Sequence, residues 1–266
     1  MSELVFVGLG LHDEKSLSLQ GLDEIKTANA VFIELYTSLL PSFSQERLER
    51  LSGKRFHALS RKEIEEENGS IVLEAAEKGK TVLLVPGDPL IATTHVTLRL
   101  EAEKYRIETR IIHGASIISA AIGLSGLHNY KFGKSVTIPF PDETLSATPY
   151  EVIGQNTKLG LHTLCLLDIK AEKQRYLSIH EALQALLAIE ERRKAKIITS
   201  NTLALGIARA GDDKPCVKAD YVRKLLDYDF GGPPQCIVFL GRLHFMEAEA
   251  LIQFADGPEQ LRKAAR

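Results

Sequence analysis

At 266 residues, with 44% hydrophobic and 26% charged residues, the chain has an ordinary globular composition and room for one large α/β unit or two domains. A formal net charge of -2 supplies no basic footprint for nucleic acid. Residues 1–11 lack the basic start and long apolar run of a signal peptide, and no apolar stretch reaches the roughly 20 residues that span a bilayer, so a cytoplasmic protein with no nucleic-acid or membrane partner is expected.

In chain order, residues 4–7 form an apolar run that stops at Gly8-Leu9-Gly10, after which Leu19, Leu22, Ile25 and Ala28 recur at helical spacing. Strand, glycine turn and helix follow from that pattern. Residues 31–35 predict a second strand, 46–51 a helix and 55–58 a weaker strand. Ile64, Ile71, Val72 and Ala75 run through a charged helical segment closing at Gly79. Residues 81–85 are the strongest strand of this half, and they run into Pro86-Gly87-Asp88-Pro89, which neither strand nor helix continues through. A helix over 94–104, a strand over 108–112 and a helix opening at Ser116 complete an alternation that implies a mainly parallel sheet.

Past Gly123, the segment with Gly126, Lys131 and Gly133 loses helical periodicity and reads as a connection. The domain change is placed near residue 115, giving one α/β domain over 1–114 and a second over 115–266. Strands are predicted at 135–138, 163–167, 196–199, 203–208 and 236–240, with helices at 179–193, 221–226 and 247–254. Some of these strands follow one another without a helix, so the second sheet should be mixed. Residues 257–266 read as a frayed basic terminus.

Cys165, Cys216 and Cys236 are odd in number and far apart, which fits simple thiols, and the eight histidines are scattered without a His-x-x-x-His pair, so no metal site is expected. Gly8-Leu9-Gly10-Leu11-His12-Asp13 has Asp13 where a dinucleotide fold needs its third glycine, and that carboxylate would repel a pyrophosphate. This disfavours NAD, for which Glu34 could have been the ribose-binding acid; Gly8 and Gly10 serve either a ligand turn or a tight turn alone. At the second glycine turn, Asp88 either faces a ligand crevice or bonds its own turn and caps the following helix. Phosphate-loop and Gly-x-Ser-x-Gly signatures are absent.

A first strand ending Val-Gly-Leu-Gly-Leu, with Pro-Gly-Asp-Pro about eighty residues later, resembles the tetrapyrrole methylase superfamily, whose two α/β domains clasp S-adenosylmethionine between them. Longer strings narrow the resemblance to the diphthine synthase family. These are Tyr36-Thr37-Ser38-Leu39, the run from Pro86 to His95, Gly126-Leu127-His128-Asn129-Tyr130-Lys131, Gly160-Leu161-His162-Thr163, Leu167-Asp168-Ile169-Lys170, Ala208-Arg209-Ala210-Gly211 and Gly241-Arg242-Leu243-His244. The resemblance implies a cofactor pocket of Leu11, Asp88, Ile91, Ser116 and Ile117 from the first domain side, and Leu167, Ala210 and Gln235 from the second. Gln235 departs from the family, where His is frequent; glutamine keeps a donor and an acceptor but does not titrate. By default Leu167 would be core. The resemblance further implies a homodimer and a methyl transfer to the amino group of a 3-amino-3-carboxypropyl-histidine on elongation factor 2, without metal or dedicated catalytic residue. A tetrapyrrole methyltransferase and a non-catalytic ligand-binding adaptor are the alternatives.

Overall fold

The computed structural model describes residues 2–142 and 145–265; Arg266, the last residue of the expected basic tail, lies outside them. Contacts divide the chain into two compact units, one holding the residues up to Ile117 with Ala171–Lys173, the other Ile118–Lys170 and the residues from Gln174 onward.

The first unit alternates β1 (Glu3–Gly8), α1 (Leu19–Thr27), β2 (Ala30–Glu34), α2 (Gln45–Ser52), β3 (His57–Leu59), α3 (Ser70–Lys78), β4 (Lys80–Val85), α4 (Val96–Lys104) and β5 (Glu108–Ile112), and α5 (Ile117–Ser125) follows. Its sheet has the order β3-β2-β4-β1-β5 with every pair parallel. Because successive strand residues face opposite sides, Leu4 and Phe6 of β1 join Leu83 of β4 in a core with Val72, Ala76 and Leu98. Val5 and Val7 join Val82 and Leu84 in another core with Ile25, Ala28 and Leu48. Strands covered on both faces read as continuous apolar runs, which is why they were visible in the sequence. One expectation fails here. The helix foreseen through Ile64 and Ala75 is broken into a π-helical turn at Lys62–Glu66 and α3, because Asn68 and Gly69 take left-handed φ values of 53° and 62° between them.

The second unit contains β6 (Val136–Ile138), α6 (Thr148–Leu159), β7 (Thr163–Leu167), β8 (Ile169–Lys170), β9 (Arg175–Tyr176), α7 (Ile179–Arg193), β10 (Leu203–Ala208), β11 (Cys216–Tyr221), α8 (Val222–Leu225), β12 (Gln235–Phe239), α9 (Phe245–Phe254) and α10 (Leu261–Ala264). Its main sheet, β11-β10-β12-β7-β6, is mixed: β6 and β7 are parallel and the other pairs antiparallel. The foreseen strand at 196–199 does not form. The Glu190 carboxylate accepts the backbone N–H of Lys196, Ile197 and Ile198 at 2.6, 2.8 and 3.0 Å, taking the donors a sheet ladder would use. Glu190→Ala should therefore lower unfolding free energy by about 2 kcal/mol, read from urea denaturation, since it strips three N–H groups of their acceptor. The frayed terminus is also corrected: Leu261 is fully buried in α10, and Arg262 forks onto Glu249 at 2.6 and 2.9 Å.

Candidate functional site

In the first unit β1 and β4 are neighbours, yet the chain leaves β1 through α1 toward β2 on one face and leaves β4 through α4 toward β5 on the other. Divergent connections of this kind leave a crevice outside the carboxyl ends of the strands, where open α/β sheets keep their ligands. The glycines shape those ends. Gly10 and Gly87, with φ of 75° and 70°, exchange two backbone hydrogen bonds at 3.2 and 2.7 Å. A Cβ on Gly8 would stand 2.5 Å from the Gly87 carbonyl oxygen and 2.6 Å from the Gly114 nitrogen, so three stretches of backbone meet where no side chain fits. Around Gly87 itself the space is open, with nothing nearer to its built Cβ than the Ala115 carbonyl oxygen at 4.0 Å.

Five of the sequence-derived residues sit on these strand ends: Leu11 after the β1 turn, Asp88 and Ile91 after β4, and Ser116 with Ile117 at the opening of α5. Asp88 is buried; its Oδ1 accepts the Leu90 N–H at 3.4 Å, and its Oδ2 lies 2.7 Å from His113 Nδ1. The carboxylate thus does bond its own turn, weakly, while its main partner is an exposed histidine after β5. Ile91 presents 38% of its surface. Glu34 is a different matter: it is fully buried and its carboxylate accepts the Tyr36 and Thr37 N–H groups and the Thr37 hydroxyl, so it has no ribose-binding face. A cavity of about 210 Å³ nearby is lined by Ile64, Glu65, Asn68, Thr94, Thr97 and Leu98, none of them among those five residues.

The remaining three residues come together at one end of the second sheet. The register pairs Ala208 with Gln235 and Cys236 with Leu166, which sets Leu167 at the end of β7, Gln235 at the start of β12 and Ala210 just past β10 along one edge. Gln235 uses both ends of its amide: Oε1 accepts the Ile179 N–H at 2.8 Å at the start of α7, and Nε2 donates to the Gly231 carbonyl at 2.7 Å. Beside it, the Arg209 guanidinium donates to the Phe230 and Gly232 carbonyls at 2.9 and 2.7 Å and so holds the glycine-proline loop against Ala210. Leu167 is 7% exposed and belongs to the core with Ile138 and Phe140, which its sequence already suggested as the default.

Sequence reading missed His113 and Gly114, which carry no local pattern, and it missed Glu247. That carboxylate is fully buried in the second unit. It accepts the backbone N–H of His128 and His244 at 2.9 and 2.8 Å, His162 Nε2 at 3.0 Å and the Lys131 ammonium. Each donor lies in one of the strings that carried the family resemblance, and their common acceptor was the signal that could have been sought. Burial opposes ionisation of Glu247, but the His244 N–H, Lys131, the His128 N–H and His162 outweigh it and hold the carboxyl down to about 2. Cys165 and Cys236 are buried thiols, and burial pushes Cys236 up to about 12. Among the described residues no group of three or more His, Cys, Asp or Glu side chains could hold a metal ion, and no helix is long and apolar enough to cross a membrane.

The Tetrapyrrole (Corrin/Porphyrin) Methylases family matches residues 3–203. Diphthine synthase of Methanosarcina acetivorans is 48% identical over 264 residues, covering 97% of this chain and 98% of its own. Diphthine synthase of Methanothermobacter thermautotrophicus is 46% identical over 256 residues, covering 96% of each. A crystal structure of diphthine synthase superposes with a TM-score of 0.91 at 44% identity over 99% of this chain and 100% of that one. A putative diphthine synthase from Entamoeba histolytica gives 0.87 at 32% identity, covering 97% and 100%. Similarity that runs from end to end, through both sheets and both glycine turns, assigns the whole chain: it belongs to the diphthine synthase family of the tetrapyrrole methylases.

Proposed function

We propose that this chain is an S-adenosylmethionine-dependent methyltransferase of diphthamide biosynthesis, and that it methylates the amino group of a 3-amino-3-carboxypropyl-histidine on elongation factor 2. The observation that carries this reading is the near full-length identity to diphthine synthases. The residues present fit the cofactor. Gly87 leaves its backbone open to close approach, Asp88 offers carboxylate oxygens to a polar group, and the partly exposed Ile91 offers apolar surface. Leu11, Asp88, Ile91, Ser116, Ile117, Leu167, Ala210 and Gln235 are the proposed contacts.

When bound, S-adenosylmethionine supplies a sulfonium methyl group open to direct displacement. What the protein must do is hold an amine in line at near contact. The amine is also required to lose its proton, and no titratable side chain is assigned to take it. Asp88 accepts and orients, and its geometry is fixed by His113 and its own turn. Gln235, already committed at both ends of its amide, acts by holding the start of α7 and the loop at Gly231 in place.

Incubating the chain with labelled cofactor and elongation factor 2 carrying the unmethylated side chain, then weighing the product, tests the reaction: no gain in mass rejects it. Calorimetry with S-adenosylhomocysteine, NAD and a tetrapyrrole separates the alternatives. Asp88→Ala should weaken S-adenosylhomocysteine binding roughly tenfold, the scale of one hydrogen bond to a charged group.

A further inference from the structure

A proton is missing from the hydrogen-bond pattern behind the 86–94 segment. His95 is fully buried, and its Nδ1 lies 3.2 Å from the Pro89 carbonyl oxygen. A carbonyl only accepts, so this nitrogen carries a hydrogen. In a neutral ring the other nitrogen is then a bare lone pair. That nitrogen, Nε2, has no hydrogen-bond partner and faces Glu34 Oε1 at 3.7 Å, with both side chains wholly out of solvent. The Glu34 carboxylate is otherwise engaged: Oε2 accepts the Tyr36 and Thr37 N–H groups at 3.1 and 3.2 Å, and Oε1 accepts the Thr37 hydroxyl at 2.6 Å. A bare lone pair against a bare carboxylate in a dry interior repels, whereas one proton held by the pair makes the 3.7 Å contact attractive and lets a small shift of the ring close it into a hydrogen bond.

We propose that Glu34 and His95 share a single proton, and that this shared proton positions the 86–94 segment for cofactor binding. The proposal rests on the assignment of Asp88 and Ile91 to the cofactor. Pro89 lies between those two residues, and its carbonyl is held by His95 Nδ1 and by the Thr93 hydroxyl at 2.7 Å. A shift of the imidazole therefore moves the segment that carries both contacts. Neither Glu34 nor His95 touches a reacting atom, so they are positioning residues.

Their surroundings agree with one shared proton. Burial raises the Glu34 carboxyl to about 7, and burial lowers the His95 imidazole. The other groups facing the pair are Glu65, which accepts the Thr94 hydroxyl at 3.1 Å and whose charge also raises Glu34; the Tyr36 phenol, pushed up by burial; and Arg61, whose guanidinium stacks 5.3 Å above the Tyr36 ring. Because the Glu34 value is raised, the link holds below about pH 7 and is lost as the pH climbs through it.

The test is calorimetry of S-adenosylhomocysteine binding to the full chain at pH 6 and pH 9, for the wild type and Glu34→Gln. The wild type should lose roughly fivefold or more in affinity at pH 9, an ordinary size for coupling between two sites. The amide introduced by Glu34→Gln donates to His95 Nε2 at any pH, and the Thr37 hydroxyl can turn to suit it, so the variant should bind equally at both. Equal pH slopes in the two proteins would overturn the proposal. A second measurement needs no variant and no ligand. The nitrogen-15 shift of His95 Nε2 should report a shared proton at pH 6 and a bare lone pair at pH 9; a shift unchanged between them rejects the pair. If the wild type fails to bind at pH 6 while the nitrogen shift titrates, the cofactor assignment is what has failed, and the positioning role falls with it.

Discussion

Gly114→Ala should leave the protein less stable by about 3 kcal/mol and without measurable affinity for S-adenosylhomocysteine. A Cβ built on Gly114 lies 2.3 Å from the Gly87 carbonyl oxygen and 2.9 Å from both the carbonyl carbon and Cα of Gly8. All three are backbone atoms at the ends of β1 and β4, so no side chain can swing aside, and forced overpacking of this kind reaches about 3 kcal/mol. The displaced atoms belong to the turns carrying Leu11 and Asp88. Gly53→Ala is the matching control. Gly53 closes α2 with φ of 72° and nothing within 4 Å of its built Cβ, so alanine there meets only the left-handed backbone cost of about 1 kcal/mol. Urea denaturation and calorimetry on the two variants distinguish crowding from conformational preference. Equal unfolding midpoints, with binding retained in both, would show that the three glycines do not converge as described.

The contrast between what was legible and what was not follows the range of the interactions. Strands β1, β2 and β4 announced themselves because each is buried on both faces, whereas the edge strand β3 is mostly exposed and gave only a weaker signal; the turns at Gly10 and Gly87 were visible because glycine and proline punctuate a chain locally. Helix α6 was not foreseen. It holds Gly154 where a Cβ would press within 2.6 Å of Ile197 Cδ1, and the buried Asn156 donates to the Lys134 carbonyl and the Thr163 hydroxyl, both at 2.9 Å. Its apolar stripe is short: Tyr150, Val152 and Ile153 are buried, but the next inward position is Asn156, so the periodicity ends after one turn. Strand β11 escaped for a related reason, since Ala219 is its one buried residue and it lies at the sheet edge. At the site, Asp88 stood out in its turn, but His113, 25 residues away, did not. Leu167, Ala210 and Gln235 share one end of the sheet only through antiparallel register, and without the family strings nothing in their neighbourhoods would have joined them.

Glu247→Gln should be comparably damaging, although it removes one charge and almost no volume. The two carboxylate oxygens divide four donors between them: His128 N–H and His162 Nε2 on Oε1, His244 N–H and the Lys131 ammonium on Oε2. Whichever way a glutamine amide is turned, its NH2 faces two of them. His162 cannot escape by changing tautomer, because its Nδ1 accepts the Gly241 N–H at 3.0 Å and must stay bare. Breaking a buried, charged network on one side typically costs about 3 to 5 kcal/mol, and about 3 is expected here because Lys131 keeps the Arg242 carbonyl. The pH dependence carries the sign. The native carboxyl, held near 2 against an ordinary value of 4.5, contributes stability that is whole above about pH 4.5 and fades as the pH falls toward 2. The wild type should therefore lose its advantage over the variant across that acid window and keep it undiminished between pH 5 and 8. Urea unfolding at pH 7, 4.5 and 3 measures the gap directly. A gap that stays constant down to pH 3 would mean that the carboxylate is not the ionised hub on which the His128, His162 and His244 strings converge.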